Sequence, residues 1–172
     1  MIGFSRFRCL CAAFLLLSAL PARAAAQAPD QNAAGTASIL KPLTLQKRAD
    51  MDFGYLAVGA AGTAVINPHT GAITTTGGVM AAGGSPTPAR FVGVSARNTP
   101  VIIRLPKNAI TLTRSGGTET VTLNNWTTDG PTTRHVSAGT PFEFRVGGTL
   151  AVGANQVEGT YVGTFNVSIQ YP

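Results

Sequence analysis

The fold is decided by residues 159–172, which read GTYVGTFNVSIQYP. From Tyr161 to Tyr171, apolar or aromatic residues occupy every second position apart from Gly163, and the residues between them are mostly polar. A period of two residues is typical of a β-strand that buries one face and exposes the other. We therefore predict a long C-terminal strand whose apolar face packs on the core.

Similar strand patterns recur toward the N-terminus. Residues 142–146 alternate apolar with charged side chains, and a strand at 150–152 follows Gly147-Gly148, where we expect a bulge or a turn. Further strands are predicted at 38–45, 63–67, 72–75, 90–95, 101–105, 110–113 and 119–125. Gly and Pro interrupt the sequence so often that no substantial helix is expected. The predicted fold class is all-β, an antiparallel sandwich or barrel of roughly 7–9 short strands.

The N-terminus has the features of an export signal. Arg6 and Arg8 precede an apolar stretch at 9–20, and a small-residue cleavage motif follows at 24–26. The apolar stretch is shorter than the roughly 20 residues that a membrane helix needs. We predict that residues 1–26 form a cleaved secretory signal peptide. The protein is then exported to the periplasm, the cell surface or the extracellular space.

The chain that remains after cleavage has two predicted parts. Cleavage is expected before Gln27, and cleavage after Ala24 is the alternative. Residues 27–35 are small and polar and are predicted to form a flexible N-terminal arm. Residues 36–172 show no internal repeat, and we predict that they form a single β-sandwich domain.

Loss of the leader also changes the charge and the cysteine content. Cys9 and Cys11 are the 2 cysteines of the chain and both lie in the leader, so the mature protein is expected to be disulfide-free. Three of the 13 Lys and Arg residues are lost with the leader. The excess of the remaining Lys and Arg residues over the 7 Asp and Glu residues is then about 3. So small an excess argues against a nucleic-acid partner. No later segment is apolar enough to span a membrane.

Few side chains could carry catalysis. Asp50 and Asp52 are the one close carboxylate pair, as a calcium site or an acid–base pair would need. The competing interpretation, which we favour, is a polar strand edge with Phe53 turned into the core. His69 and His135 lie in predicted turns or loops, without further ligands at metal-binding spacing. We therefore expect no catalytic residue, no cofactor and no metal, and do not expect an enzyme.

A binding module is the alternative function. Loops at 76–88 and 126–141 would then recognise a glycan or a protein, with Trp126, Arg134 and His135 among the contact residues. Such a module is a self-contained secreted β-sandwich. Nothing in the sequence decides whether the sandwich is complete, so this alternative stays open.

Two positions near the C-terminus form a more specific pattern. Gly159 is the fourteenth residue from the end, and Tyr171 is the penultimate residue. Together with the alternating apolar residues between them, they resemble the C-terminal signature of chaperone–usher pilin subunits. Over most of its length the chain more closely resembles the bacterial domain-of-unknown-function family 4402, which is similar to spore-coat-U-type, archaic pilins. The matching segments are 39–45, 50–54, 101–106, 144–150 and the final strand.

The resemblance implies an immunoglobulin-like sandwich that lacks one strand. A periplasmic chaperone would lend a strand to it, and the N-terminal arm of a like subunit would later replace that strand. The candidate strand beside the open groove contains Gly159, Tyr161, Phe165, Val167, Ile169 and Tyr171. The candidate donor strand contains Ile39, Leu43 and Leu45.

One function is predicted from these observations. We expect an exported, non-catalytic structural subunit of a bacterial surface or pilus-like assembly, joined through β-strand addition at a sheet edge. The expected partners are a periplasmic chaperone, an outer-membrane usher and like subunits. A fimbria that serves cell adhesion is the biological setting that such a subunit implies.

Overall fold

Abundant β-branched residues and frequent Gly and Pro favour strands over helices in this chain. The computed structural model describes Gly35, Ala37, Ile39 and residues 43–172, and in that part it has eleven strands and no helix. The strands are β1 (Thr44–Ala49), β2 (Tyr55–Ile66), β3 (Ile73–Gly83), β4 (Ala89–Val94), β5 (Pro100–Arg104), β6 (Ile110–Arg114), β7 (Thr120–Thr128), β8 (Thr133–His135), β9 (Pro141–Val152), β10 (Tyr161–Val162) and β11 (Ser168–Gln170). The predicted signal peptide, and the predicted arm apart from Gly35, lie outside the described residues.

The predicted all-β, antiparallel fold class is confirmed, with more strands than the sequence indicates. The larger sheet has the order β1-β4-β9-β7-β6-β10, and β2 joins it by pairing with β9 and with β3. The smaller sheet has the order β11-β5-β8. The larger sheet curls, so that its β2–β3 end faces β6 and β7 in a half-barrel, and its β1–β4 end packs on the smaller sheet as in a sandwich.

Strand β9 joins the two ends of the larger sheet. Along one edge, its residues 141–146 pair with β4 and its residues 149–152 pair with β2. Along the other edge, β7 pairs with it from Val146 to Ala151. The last residue of β9 lies opposite Gly62 of β2. The N-terminal half of β2 therefore extends beyond β9 and pairs with β3 alone.

Two hydrophobic clusters hold these layers together. The first core lies inside the curl of the larger sheet, and its buried members are Phe53, Ala64, Ile66, Val79, Val121, Leu123, Leu150 and Val152. The second core lies between the larger and the smaller sheet, and its buried members are Ala89, Phe91, Ile103, Phe144 and Val146. Burial of this apolar surface is the main stabilising contribution to the fold.

The β2–β3 hairpin is much longer than the sequence predicts. The sequence indicates only short strands here and a loop at 76–88, but β2 begins at Tyr55 and β3 ends at Gly83. A Cβ atom at Gly77 or Gly78 would collide with the backbone of β2, so these glycines permit close pairing instead of breaking the strand. The loop prediction was wrong for residues 76–83, because glycine marks a close backbone approach as well as a turn. Residues 84–88 do lie between strands.

The bulge or turn predicted at Gly147-Gly148 is also absent from β9, which is continuous through both glycines. A Cβ atom at Gly147 would collide with the carbonyl oxygen of Ile66. The irregularity lies on the neighbouring strand β7, where the register shifts between Asn124 and Thr127. The two glycines therefore allow β9 to pack closely between its neighbours.

The second core yields a stability prediction. Phe144 is 0% exposed, and its ring stacks on Phe91 with the centroids 5.4 Å apart. Phe144→Ala is expected to lower the free energy of unfolding by roughly 3–5 kcal/mol, because the lost ring leaves a cavity. Val162→Ala, at an exposed side chain, is the control and is expected to cost less than about 1 kcal/mol. Urea denaturation measures both, and equal losses would contradict this core.

Candidate functional site

One side of the first core opens to solvent. A groove of about 990 Å³ separates residues 51–58 from β6 and residues 156–163. Its floor consists of buried side chains of the first core, namely Val121, Leu123, Leu150 and Val152. These four side chains are 3–7% exposed, so only a small part of their surface reaches the groove.

Two strand edges without a partner border the groove. Residues 55–58 of β2 pair with β3 on one side and with no described strand on the other. Strand β10 pairs with β6 and with no other described strand. The chain continues from β10 through residues 163–167, which belong to neither sheet. Backbone N–H and C=O groups at such edges can pair with an added strand.

The walls of the groove carry both apolar side chains and polar ones, such as Gln156 and Glu158. Leu56 and Val58 from β2, and Leu112 from β6, are half-buried and pack on the first core. The sequence does not mark these residues as part of a site. Residues 55–58 are apolar at every position, so their alternation between the groove and the outer face leaves no visible period in the sequence.

Gly159 lies in the wall of the groove just before β10. It has a φ of +148°, and a Cβ atom there would lie 2.8 Å from Cδ of Arg114. The guanidinium of Arg114 in turn binds the carboxylate of Glu119, with Nε and Oε2 2.6 Å apart. The position thus requires a glycine because the backbone crosses closely over an arginine that an ion pair holds in place.

Tyr161 forms part of the same wall. Its hydroxyl donates to the carbonyl of Val157 and accepts from Nε2 of Gln156, each at 2.6 Å. Its ring packs against the first core. These bonds fix the turn before β10, so the ring is held at the groove.

The rest of the C-terminal stretch leaves the groove. Phe165, Val167 and Ile169 pack on the second core, and the residues between them are exposed. The single strand that the sequence predicts is therefore divided into β10 and β11, which belong to different sheets. Of the candidate residues on this stretch, the structure brings Gly159 and Tyr161 to the groove.

Tyr171 fixes the end of the chain. Its hydroxyl lies 3.2 Å from Oγ of Ser95, a fully buried side chain that donates to the carbonyl of Arg97 at 2.8 Å. Since the Ser95 proton is used in that bond, the Tyr171 hydroxyl is the donor to Ser95. The penultimate tyrosine thus joins the C-terminus to the segment after β4.

The candidate donor residues lie in different surroundings. Ile39 is 97% exposed, and Leu43 is half-buried. Leu45 belongs to β1, where it pairs with Gly93 and packs on the second core. The sequence predicts the first strand at 38–45, but β1 begins at Thr44 and continues to Ala49. Its own sheet therefore already holds the C-terminal part of the predicted donor segment.

The carboxylates and histidines are dispersed over the surface. Asp50 pairs with Lys47 at 2.6 Å, and Asp52 Oδ1 accepts from the backbone N–H of Gly54 at 2.8 Å. Phe53, which follows Asp52 in the chain, is buried in the first core, as the polar strand edge interpretation predicts. Among the described residues there is no group of three or more His, Cys, Asp or Glu side chains that could hold a metal ion.

Of the residues proposed for a binding loop, Trp126 and Arg134 make side-chain contacts, and His135 is an exposed residue of β8. The Trp126 ring lies 4.6 Å from that of Phe165, and its Nε1 donates to the carbonyl of Asn108 at 3.2 Å. Arg134 pairs with Asp129 at 2.5 Å. The predicted loop at 126–141 contains the end of β7, all of β8 and the first residue of β9. A strand as short as β8 is too short to show a period of two residues in the sequence.

The fold and the groove define an all-β protein with an open edge in its larger sheet. The chain belongs to the family described as "Domain of unknown function (DUF4402)", whose model matches residues 43–171. No curated protein and no solved structure matches the chain. No helix in the described residues has the length and apolar character needed to cross a membrane.

The C-terminal stretch provides a test of the assigned faces. Phe165→Ser is expected to lower the free energy of unfolding by roughly 2–4 kcal/mol, because it removes a ring that packs on Trp126 and the second core. Gln170→Ser replaces an exposed side chain on the opposite face and is expected to change the free energy of unfolding by less than about 0.5 kcal/mol. Urea denaturation measures both, and comparable losses would mean that the faces are assigned wrongly.

The Arg114–Glu119 pair gives a prediction of pH dependence. The hydrogen bond from Arg114, assisted by backbone hydrogen bonds, lowers the pKa of Glu119 to about 2 from an ordinary value of 4.5. Glu119→Gln should therefore melt at a lower temperature than the parent at pH 7. The difference should shrink as the pH falls from 4.5 toward 2, because protonation removes the stabilising charge.

Melting temperatures of the parent and of Glu119→Gln between pH 7 and pH 2 measure this effect. Glu158→Gln, at an exposed carboxylate next to Gly159, is the control. A gap between parent and Glu119→Gln that stays constant down to pH 2 would contradict the role of the ionised pair.

Proposed function

We propose that the chain is an exported, non-catalytic structural subunit of a bacterial surface or pilus-like assembly, joined to its neighbours by β-strand addition. The groove is the observation that carries this proposal. Four buried side chains of the first core form its floor, between two strand edges that have no partner among the described strands. In a complete sandwich, a further strand would cover such a floor and satisfy the backbone groups at its edges.

The chemistry of the groove defines its occupant. An extended segment with apolar side chains at alternate positions would place one face on the floor, between Leu56 and Leu112. Its backbone would pair with residues 55–58 or with β10. In this mode of recognition, the backbone hydrogen bonds supply affinity and the alternate side chains supply specificity.

A like subunit is the source of the donated strand in this proposal. Leu45 is held in the sheet of its own chain, so the donor segment would consist of residues before Thr44 and would include the exposed Ile39. A periplasmic chaperone would cover the groove until an outer-membrane usher exchanges its strand for that segment. The predicted signal peptide accounts for entry into the periplasm.

Replacement of a groove-lining side chain tests the proposal. Leu112→Lys puts a charge into the apolar wall, and Thr111→Lys puts the same charge on the opposite, exposed face of β6. In envelope fractions of the native host, unboiled gels of the parent should show a detergent-resistant ladder that collapses on boiling. The ladder should be lost in Leu112→Lys and kept in Thr111→Lys.

Thermal melting of both purified variants separates a blocked groove from a failed fold. If Leu112→Lys does not melt cooperatively, Leu56→Lys on the other wall replaces it. A parent that runs as a single monomeric band before boiling would overturn the proposal and favour the self-contained binding module. A ladder that persists in a folded Leu112→Lys would show that subunits associate elsewhere.

A further inference from the structure

A long stretch of this chain carries no formal charge. Residues 53–89 contain no Asp, Glu, Lys or Arg, and they build the β2–β3 hairpin. Strand β3, with 11 residues, pairs with β2 on one side and with no described strand on the other. A long edge strand presents a row of backbone N–H and C=O groups to other chains, and proteins usually protect such an edge with charges, proline or short length.

The other edge strands of the described chain have that protection. The edge strand β1 carries Lys47 and Arg48, which are exposed. The edge strands β8, β10 and β11 have 3, 2 and 3 residues, and the uncharged free edge of β2 at the groove is likewise short, at residues 55–58. Within the part of the chain that the structure describes, β3 is therefore the edge that is both long and uncharged.

The geometry of the hairpin keeps this edge available. Its main irregularity lies on β2, where residues 59–61 face Gly78 alone. Strand β3 pairs with β2 from Ile73 to Ala81 through one left-handed residue, Gly77, whose φ is +67°. The extra residue on β3 itself, Ala82, lies near the end of the strand, so most of the edge is not twisted away by a bulge. Tyr55 and Met80, on the outer face of the hairpin, are 72% and 65% exposed. Apolar surface thus adjoins the free edge.

We propose that β3 is a lateral self-association surface, at which a second copy of this chain pairs its own β3 in antiparallel orientation. In a two-fold pair the same strand lies on both sides of the contact, and the two larger sheets become one. An uncharged edge suits its own copy because it contains no like charges that would repel each other. It also has no charge with which to select a charged partner.

This contact goes beyond the proposed function. Strand donation into the groove would join subunits end to end, whereas β3 pairing would join them side by side. It uses the opposite edge of the β2–β3 hairpin and does not require an open groove. Each contact can therefore be absent while the other is present.

Sedimentation velocity of the purified full-length protein over a range of concentrations tests the inference. The parent should convert from monomer to dimer as its concentration rises. Met80→Lys and Thr74→Lys, at exposed positions of β3, should each raise the dissociation constant roughly tenfold, because a lysine on an edge strand opposes pairing of that edge with another strand. Thr122→Lys adds the same charge to the interior strand β7 and should change the constant less than about twofold.

Hydrogen exchange on the parent gives a measurement that needs no variant. Amides of residues 73–83 should become more protected as the concentration rises, while those of β6 should not change. A parent that stays monomeric would overturn the inference, as would a dimer whose β3 amides exchange at the monomer rate. So would equal weakening by Met80→Lys and Thr122→Lys. A dimer that persists in Leu112→Lys would separate this contact from strand donation.

Discussion

The hydrogen-bond ladders of β9 are the interaction on which both cores depend. This strand pairs with β7 along one edge, and along the other its first half pairs with β4 and its second half with β2. Its first half covers the second core and its second half covers the first core. Since β9 ends opposite Gly62, the preceding residues of β2 pair with no described strand on that side. The groove is a geometric consequence of where β9 ends.

The C-terminal stretch is the second element that joins the two cores. It begins in the larger sheet with Tyr161, crosses without strand pairing, and ends in the smaller sheet with β11. Polar contacts fix each end. The Arg114–Glu119 pair lies under Gly159, and Oγ of Ser95 accepts a hydrogen bond from the Tyr171 hydroxyl. A chain without disulfide bonds in its described part thus uses hydrogen bonds and packing to fix its terminus.

The sequence predicts best the strands that have one buried and one exposed face. The burial of Phe144 and Val146, and the alternation from Phe165 to Gln170, follow directly from the period of two residues. The fold class follows from the same patterns. The length of the β2–β3 hairpin could not be predicted in this way. Gly and Ala fit both a turn and a closely packed pair of strands, and only tertiary contacts distinguish the two structures.

The candidate site was predictable only in part, for a related reason. Gly159 and Tyr161 were identifiable by position, but the groove wall at Leu56 and Val58 lies in a stretch that is apolar on both faces. Strand boundaries also depend on partners that the sequence does not identify. The one strand predicted from Tyr161 to Tyr171 is divided because β6 and β5, its two neighbours, belong to different sheets.

Strand β2 links the two proposed contacts physically. Its residues 55–58 pair with β3 on one side and border the groove on the other. A strand added in the groove would give these residues a second ladder and restrict the motion of the whole hairpin. A more rigid β3 loses less conformational entropy when it pairs with a second copy, so strand donation should tighten lateral pairing. By thermodynamic reciprocity, lateral pairing should strengthen strand donation by the same factor.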